Sequence, residues 1–310
     1  MEVTPALIRK LPSLSMNILH LYKAALPHSM GGVEQVIHQL AKGAVEKGAN
    51  VEVLALNRGP RDVVDGGGYK VYYQPTLFEV ASTPFSLKAF YKFRELSKKA
   101  DIIHYHYPYP FADLLHLGCC PRKPSIVTYH SDIVRQRKLL KLYKPLQKRF
   151  LSSMDRIVAT SPNYVQTSET LQDYVDKVSV IPLGLEESSY PEPSIERLDH
   201  WKKRVGSKFF LFIGVLRYYK GLHILLDALK EADYPTVIIG TGPEENTLKQ
   251  KANEYGLKNI HFLGHVSDED KAALLKLCYA FVFPSHLRSE AFGLSLVEAA
   301  MFGKPMISCE

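Results

Sequence analysis

Apolar runs too short to be helices alternate along this chain with longer segments in which apolar residues recur at helical spacing, and the alternation occurs in two successive series. It selects parallel sheets with helices on both faces, because parallel neighbours need a crossover long enough to hold a helix. The first series places strands at Ile18 to Leu21, Val51 to Leu56, Ile102 to Tyr105, Ile126 to Tyr129 and Arg156 to Ala159, and ends at Val178 to Gly184. The second begins at Phe209. Between them, Glu186 to Arg204 carries Pro191, Pro193 and several charges and reads as a linker without apolar period. The expected organisation is an extension over 1–16, a first domain over 17–185, a linker over 186–206 and a second domain over 207–310. A length of 310 residues suits two domains.

Chemistry concentrates where the strands of the second series end. Ala280 to Phe283 reads as a buried strand, and Leu294, Val297, Ala300 and Met301 then recur at helical spacing. Glu290 therefore lies on a loop and Glu298 on the helix after it, with seven residues between them. An open α/β sheet binds ligands beyond the carboxyl ends of its strands, and two carboxylates there can accept hydrogen bonds from two sets of vicinal hydroxyls, as a nucleotide sugar offers. The plainer alternative is surface charge complementing a helix dipole. Upstream, the strand Phe209 to Gly214 runs into Arg217, Lys220 and Gly221 before another helix-patterned run, a strand–turn–helix junction suited to a diphosphate. Arg217 and Lys220 alone would be ordinary surface charge. Gly240-Thr241-Gly242-Pro243 makes a further glycine turn after Val237 to Ile239.

These segments carry a family resemblance. Gly214 to Gly221, Gly240 to Pro243, Phe262-Leu263-Gly264 with Val266-Ser267-Asp268, and Glu290 to Glu298 resemble the donor domain of retaining glycosyltransferases of family 4. In the first series, Gly31-Gly32-Val33-Glu34 resembles that family's N-terminal glycine loop and Thr128 to Asp132 its histidine segment. The resemblance implies a GT-B architecture: α/β, with two Rossmann-like doubly wound parallel-sheet domains facing a cleft. It assigns catalytic roles to His130, Arg217, Lys220 and Glu290. Donor binding falls to Gly31, Gly32, Gly214, Gly240, Gly242, Leu263, Phe292, Gly293, Leu294 and Glu298, with Glu298 on the ribose and Glu290 orienting the transferred sugar. The base would rest near Phe262 to Val266, on backbone groups. Gly31 and Gly32 would let the backbone approach the donor phosphates, although a plain tight turn explains them equally from the segment alone. A role for Asp132 is a lesser expectation.

No Asp-x-Asp lies directly at the end of a strand to hold a metal on the diphosphate, so the expected help to the leaving group is electrostatic, with no metal and no cofactor beyond the nucleotide-sugar co-substrate. His104 and His106 alternate along one strand; with no third ligand evident they read as site-lining or core residues. Cys119, Cys120, Cys278 and Cys309 follow neither a zinc nor a disulfide spacing, and the adjacent pair reads as buried thiols. From Arg135 to Arg149 the chain holds seven basic residues and no acid, interleaved with leucines. With a net charge of +7 this suits nucleic acid, but no recognition motif accompanies it, and an anionic membrane surface is the favoured partner over a merely solvated face. No apolar run is long enough to span a bilayer, so the expected location is cytoplasmic, peripheral on the inner face of the membrane.

The overall pattern further resembles bacterial mannosyl and rhamnosyl transferases of surface-polysaccharide, or O-antigen, biosynthesis. It implies retaining hexose transfer to a lipid-linked oligosaccharide, with GDP-mannose as first choice of donor and GDP-rhamnose and UDP-sugars behind it. The family usually continues for several tens of residues beyond the position of Glu310, so the second domain reads as C-terminally truncated. On that ground a non-catalytic sugar-nucleotide-binding or partner-dependent subunit is the competing class; a nucleotide-sugar epimerase or sugar phosphorylase is disfavoured by the Glu290 to Glu298 motif.

Overall fold

A computed structural model describes residues 15–309, apart from 30, 134–136, 188–189, 233, 288 and 291. Most of the N-terminal extension, the start of the basic run at Arg135 and the end of the Thr128 to Val134 segment therefore lie outside the described residues. The chain divides into two compact units at Ile181 and Pro182.

The first unit comprises β1 (Asn17–Leu21), α1 (Gly32–Glu46), β2 (Asn50–Asn57), β3 (Asp62–Asp65), β4 (Lys70–Pro75), β5 (Phe78–Val80), β6 (Thr83–Phe85), α2 (Leu87–Lys99), β7 (Ile102–Tyr107), α3 (Pro110–Cys119), β8 (Ser125–Tyr129), α4 (Arg137–Ser153), β9 (Arg156–Ala159), α5 (Pro162–Thr167), α6 (Glu169–Gln172) and β10 (Val178–Val180). Its sheet runs β10-β9-β8-β7-β1-β2-β4-β3, parallel except for the β3–β4 pair. Strand order reverses across β1 and β7, since the chain builds outward from β1 to one side and then returns to begin the other. The β3–β4 hairpin and the separate β5–β6 hairpin are additions that the apolar pattern did not reveal.

The second unit comprises α7 (Ile195–Val205), β11 (Phe210–Ile213), α8 (Leu222–Ala232), β12 (Thr236–Ile239), α9 (Glu245–Glu254), β13 (Ile260–Gly264), α10 (Asp268–Leu277), β14 (Ala280–Phe283), α11 (Leu294–Met301) and β15 (Met306–Ser308). The sheet is all parallel in the order β13-β12-β11-β14-β15, with its reversal across β11 and β14. Strand residues alternate between two cores because successive side chains point to opposite faces. Leu211, Val237 and Phe281 join Trp201, Val205, Ala273 and Leu274 on one face, while Phe212 and Ile238 join Leu222, Leu226 and Leu248 on the other. Both faces are thereby covered by helices, as the alternation of patterns requires.

Two expectations are corrected. The supposed linker contains α7, which belongs to the second unit: Trp201 and Val205 are buried in its core, Trp201 Nε1 donates to Asp270 Oδ1 (2.8 Å) and Arg197 reaches Asp270 and Glu269 (both 3.1 Å). Ile195, Leu198, Trp201 and Val205 do carry a helical period, diluted by the charges between them. Burying the Trp201 ring stabilises this attachment by roughly 2–3 kcal/mol. The adjacent cysteines are not buried thiols either. Cys119 is half-buried, and Cys120 is exposed because it ends α3 in a left-handed conformation, its N–H bonded to His116 O. Cys278 is buried.

Candidate active site

The loops leaving β11, β12 and β13 are tied together chiefly by backbone. Gly214 N donates to Ile239 O (3.0 Å), Leu216 N to Thr241 O (2.9 Å), Gly240 N to Gly264 O (2.8 Å) and Glu244 N to Leu216 O (3.1 Å). Gly240 has φ +124, and a Cβ there would lie 2.1 Å from Gly214 O; one on Gly242 would lie 2.4 Å from Leu216 O. Both glycines thus allow backbone to lie against backbone. Across the strand-order reversal, Gly221 (φ +70) ends the tight turn Tyr218–Lys220 so close to the β14 loop that a Cβ would stand 1.8 Å from Pro284 O.

That turn presents Lys220, which is buried and ion-paired with Glu290. The ammonium also sits over the Phe283 ring (5.1 Å) and the Tyr219 ring (5.6 Å). Ser285 Oγ lies 3.3 Å from both Glu290 Oε2 and Tyr219 O, and can donate to one at a time. The two residues that sequence places on separate strand ends are therefore direct partners at the point where an open sheet binds ligands. Arg217, from the same loop, is exposed.

Glu298 occupies a second station on α11. Its Oε1 accepts from Tyr190 OH (2.6 Å) and from Lys271 Nζ (3.0 Å), and the Lys271 ammonium lies 4.9 Å from the Tyr190 ring centre. Burial, with the adjacent carboxylate, pushes the Tyr190 phenol far above its ordinary range, so it remains a donor. Tyr190 and Lys271 went unrecognised in the sequence. Lys271 stands only three residues beyond the Asp268 of a quoted motif, but its partner is 27 residues away and only the packing of α10 beside α11 reveals it. Gly293 precedes α11 with φ +75, and Leu294 opens the helix, so the first-turn N–H groups of α11 project from the same edge. Phe292 lies beside them, and Leu263 closes β13 with Gly264. If Glu298 receives the ribose, as the resemblance implies, Glu298→Ala should raise the donor KM at least tenfold with a smaller effect on kcat, read by initial rates over a donor series. An unchanged KM would exclude that role.

In the first unit, Gly31 precedes α1 and Gly32 begins it. The Glu34 carboxylate folds back onto this terminus: a Cβ on Gly31 would meet Glu34 Oε2 at 2.6 Å, and Ser29 Oγ donates to Glu34 Oε1 (3.0 Å). An acidic group thus already occupies the positive end of the helix. His130 follows β8, its N–H bonded to Tyr107 O (2.9 Å), and burial lowers its imidazole to about 4. It is a neutral donor or acceptor at pH 7. Asp132 is engaged in holding the loop, accepting from Tyr129 OH and Ser168 Oγ (both 2.8 Å), while its N–H meets Tyr164 OH (2.6 Å). His104 and His106 gain the third histidine that spacing could not supply. His20 of β1 is in register with His104, and one nitrogen from each ring falls within 4.8 Å of the others.

The sequence profile described as Glycosyltransferase Family 4 matches residues 30–189, and that of Glycosyl transferases group 1 matches residues 196–310. D-rhamnosyltransferase WbpZ of Pseudomonas aeruginosa is 56% identical over 95% of this chain and 78% of its own length. O-antigen chain mannosyltransferase C of Escherichia coli is 51% identical over 95% and 80%. Among solved structures, sucrose-phosphate synthase of Thermosynechococcus elongatus superposes with a TM-score of 0.76 at 19% identity, covering 94% of this chain and 81% of that one. HepE of Anabaena, solved with UDP and glucose, gives 0.71 at 22%, covering 94% and 80%, and these two likenesses establish the fold alone. With two Rossmann-like units of parallel sheet and these relatives, the chain belongs to the family 4 glycosyltransferases of GT-B fold.

Proposed function

We propose that this chain transfers mannose or D-rhamnose, with retention of configuration, from a guanosine-diphosphate donor to a lipid-linked glycan in the assembly of a surface polysaccharide. The observation that carries the chemistry is the buried Lys220–Glu290 pair at the strand-order reversal of the second unit. A diphosphate arriving beside Lys220 competes with Glu290 for the ammonium, so the carboxylate is released to accept from sugar hydroxyls as the cation turns to the phosphates. Lys220, Arg217 and backbone N–H groups then stabilise the departing diphosphate, with no metal needed. The acceptor hydroxyl attacks from the face the nucleotide leaves, and a donor phosphate oxygen takes its proton. Glu298, held by Lys271 and Tyr190, receives the ribose hydroxyls. In this reading a neutral His130 of the first unit meets a sugar hydroxyl, and Gly31 and Gly32 offer backbone to a phosphate only once the Glu34 carboxylate has left the start of α1.

The choice of sugar rests on the two relatives above half identity, one named for D-rhamnose and one for mannose. These sugars differ by the hydroxyl at C6. A site that bonds that hydroxyl rejects the deoxy sugar by about 10⁴-fold or more, whereas one that merely tolerates it discriminates by only about 10². The acceptor's lipid anchor is supported by α4, on which Leu139 (47% exposed) and Leu142 (80% exposed) stand among the exposed Lys141, Lys144, Lys148 and Arg149. Each such basic residue contributes about 1 kcal/mol near an anionic bilayer. On the strength of the basic and apolar exposed residues of α4, we place the protein peripherally on the cytoplasmic leaflet; among the described residues no helix is long and apolar enough to cross a membrane.

The test is a thermal-shift panel of GDP, UDP, ADP and their sugar conjugates, followed by transfer in EDTA to a lipid-linked acceptor in anionic vesicles. A ligand at 100 times its dissociation constant stabilises by about 2.7 kcal/mol. Selective stabilisation by GDP and GDP-mannose or GDP-rhamnose, with product formed only on vesicles that retain the enzyme, is expected. Stabilisation by UDP alone would refute the donor, and equal transfer to a water-soluble glycan in the presence of neutral vesicles would refute the membrane acceptor.

A further inference from the structure

Four imidazoles line the strand-order reversal of the first unit. His20 lies on β1, His104 and His106 on β7, and His130 follows β8. Three of them are joined end to end: His20 Nδ1 and His106 Nε2 share a hydrogen bond of 3.0 Å, and His106 Nδ1 and His130 Nε2 share another of 3.0 Å. Their rings are nearly parallel, at 22° between His20 and His106 and 16° between His106 and His130. His104 packs against the line, 4.5 Å from the His106 ring centre, and is bonded through Nε2 to Thr128 Oγ1 (2.7 Å).

A neutral imidazole has one N–H and one bare nitrogen. Each shared bond needs one of each. If His106 donates through Nδ1 to His130 Nε2, its own Nε2 is bare and must receive from His20 Nδ1, so all three rings carry hydrogen on Nδ1. If His130 donates through Nε2, the order reverses throughout and all three carry it on Nε2. No mixed arrangement keeps both bonds. We propose that His20 and His106 are positioning residues that lock the tautomer of His130 to their own, so that the nitrogen it turns to its ligand donates or accepts only as the whole line does. The proposal rests on the reading that His130 meets the transferred sugar.

Burial holds the line neutral, lowering His20 and His130 to about 4 and His106 well below its ordinary value, so that no ring spends both nitrogens as donors. The same cluster has ligand-like spacing for a metal ion. However, His20 Nδ1 and His106 Nε2 are already spent on each other, and the cluster includes no carboxylate among the described residues to offset a buried dication.

The test is two-bond ¹⁵N–¹H correlation on the full chain labelled at histidine, which reads the tautomer of each ring without a substrate. One common tautomer for His20, His106 and His130 is expected in the unsubstituted protein, a measurement that needs no variant to fold. His106→Gln, whose amide reaches toward His20 but not His130, should mix the His130 tautomers and lower kcat about tenfold at unchanged acceptor KM. His106→Asn places its amide at the Nδ1 position and keeps a partner for His130, but the amide can present either its oxygen or its NH2, so the tautomers should stay mixed and the loss in kcat should persist. Different tautomers among the three rings, an unaltered His130 tautomer in His106→Gln, or one zinc retained per chain would each overturn the proposal. A common tautomer with unchanged turnover in His106→Gln would support the line and count against His130 at the sugar, so the two failures are distinguishable.

Discussion

Lys220→Ala is expected to lower kcat by about two to three orders of magnitude at saturating donor, the usual cost of losing one preorganised donor to a developing negative charge. The side chain is held in place: it is buried under the Phe283 and Tyr219 rings and reaches the strand-order reversal from a turn fixed on the β14 loop. The substitution also strands the Glu290 carboxylate, only 18% exposed, without its cation. A loss of stability would therefore accompany the loss of rate. The double variant Lys220→Ala/Glu290→Gln separates the two effects, because removing both charges should recover the melting temperature while turnover stays low. Wild-type kcat in a folded Lys220→Ala protein would refute the assignment.

Gly221→Ala is expected to be among the most damaging single-methyl changes in the second unit, lowering stability by about 3 kcal/mol or more. Two costs coincide. Its φ of +70 disfavours any side chain by about 1–2 kcal/mol, and the added Cβ would stand 1.8 Å from a main-chain carbonyl that cannot yield without moving Pro284. Gly256 provides the control, since it has φ +66 and open space around the position. Gly256→Ala should therefore lose only about 1–2 kcal/mol. Urea unfolding of both variants tests the argument, and equal losses would show that the close approach of the two loops contributes nothing.

The strands of the second sheet were legible because Phe210 to Ile213 and Ala280 to Phe283 are apolar throughout, as strands covered on both faces must be. The loop residues Lys220, Glu290 and Glu298 could be placed for the same reason, each being counted from the end of such a strand. What escaped notice depends on register or long-range packing. Nothing local to His20 indicates that β1 lies beside β7 with His20 opposite His104. Nothing around Tyr190, in a segment rich in prolines and charges, indicates that its hydroxyl reaches Glu298, 108 residues away. The hairpin of β3 and β4 was hidden by its mixed polar and aromatic residues, and α7 by charges between its apolar positions.

The main-chain bonds that interlock the loops after β11, β12 and β13 have an evolutionary consequence. Because Gly214, Leu216, Gly240, Thr241 and Gly264 hold one another through N–H and carbonyl groups, the shape of this rim depends on Gly240, Gly242 and the buried Leu216 but not on the side chains exposed between them. Side chains such as those of Val215 and Thr241 can be exchanged while the framework remains standing. If, as proposed, the donor lies against this rim, sugar preference can drift by substitution at a few such positions without passing through an unfolded intermediate. Two relatives above half identity that carry different sugars in their names are what such a separation of frame from selectivity would produce.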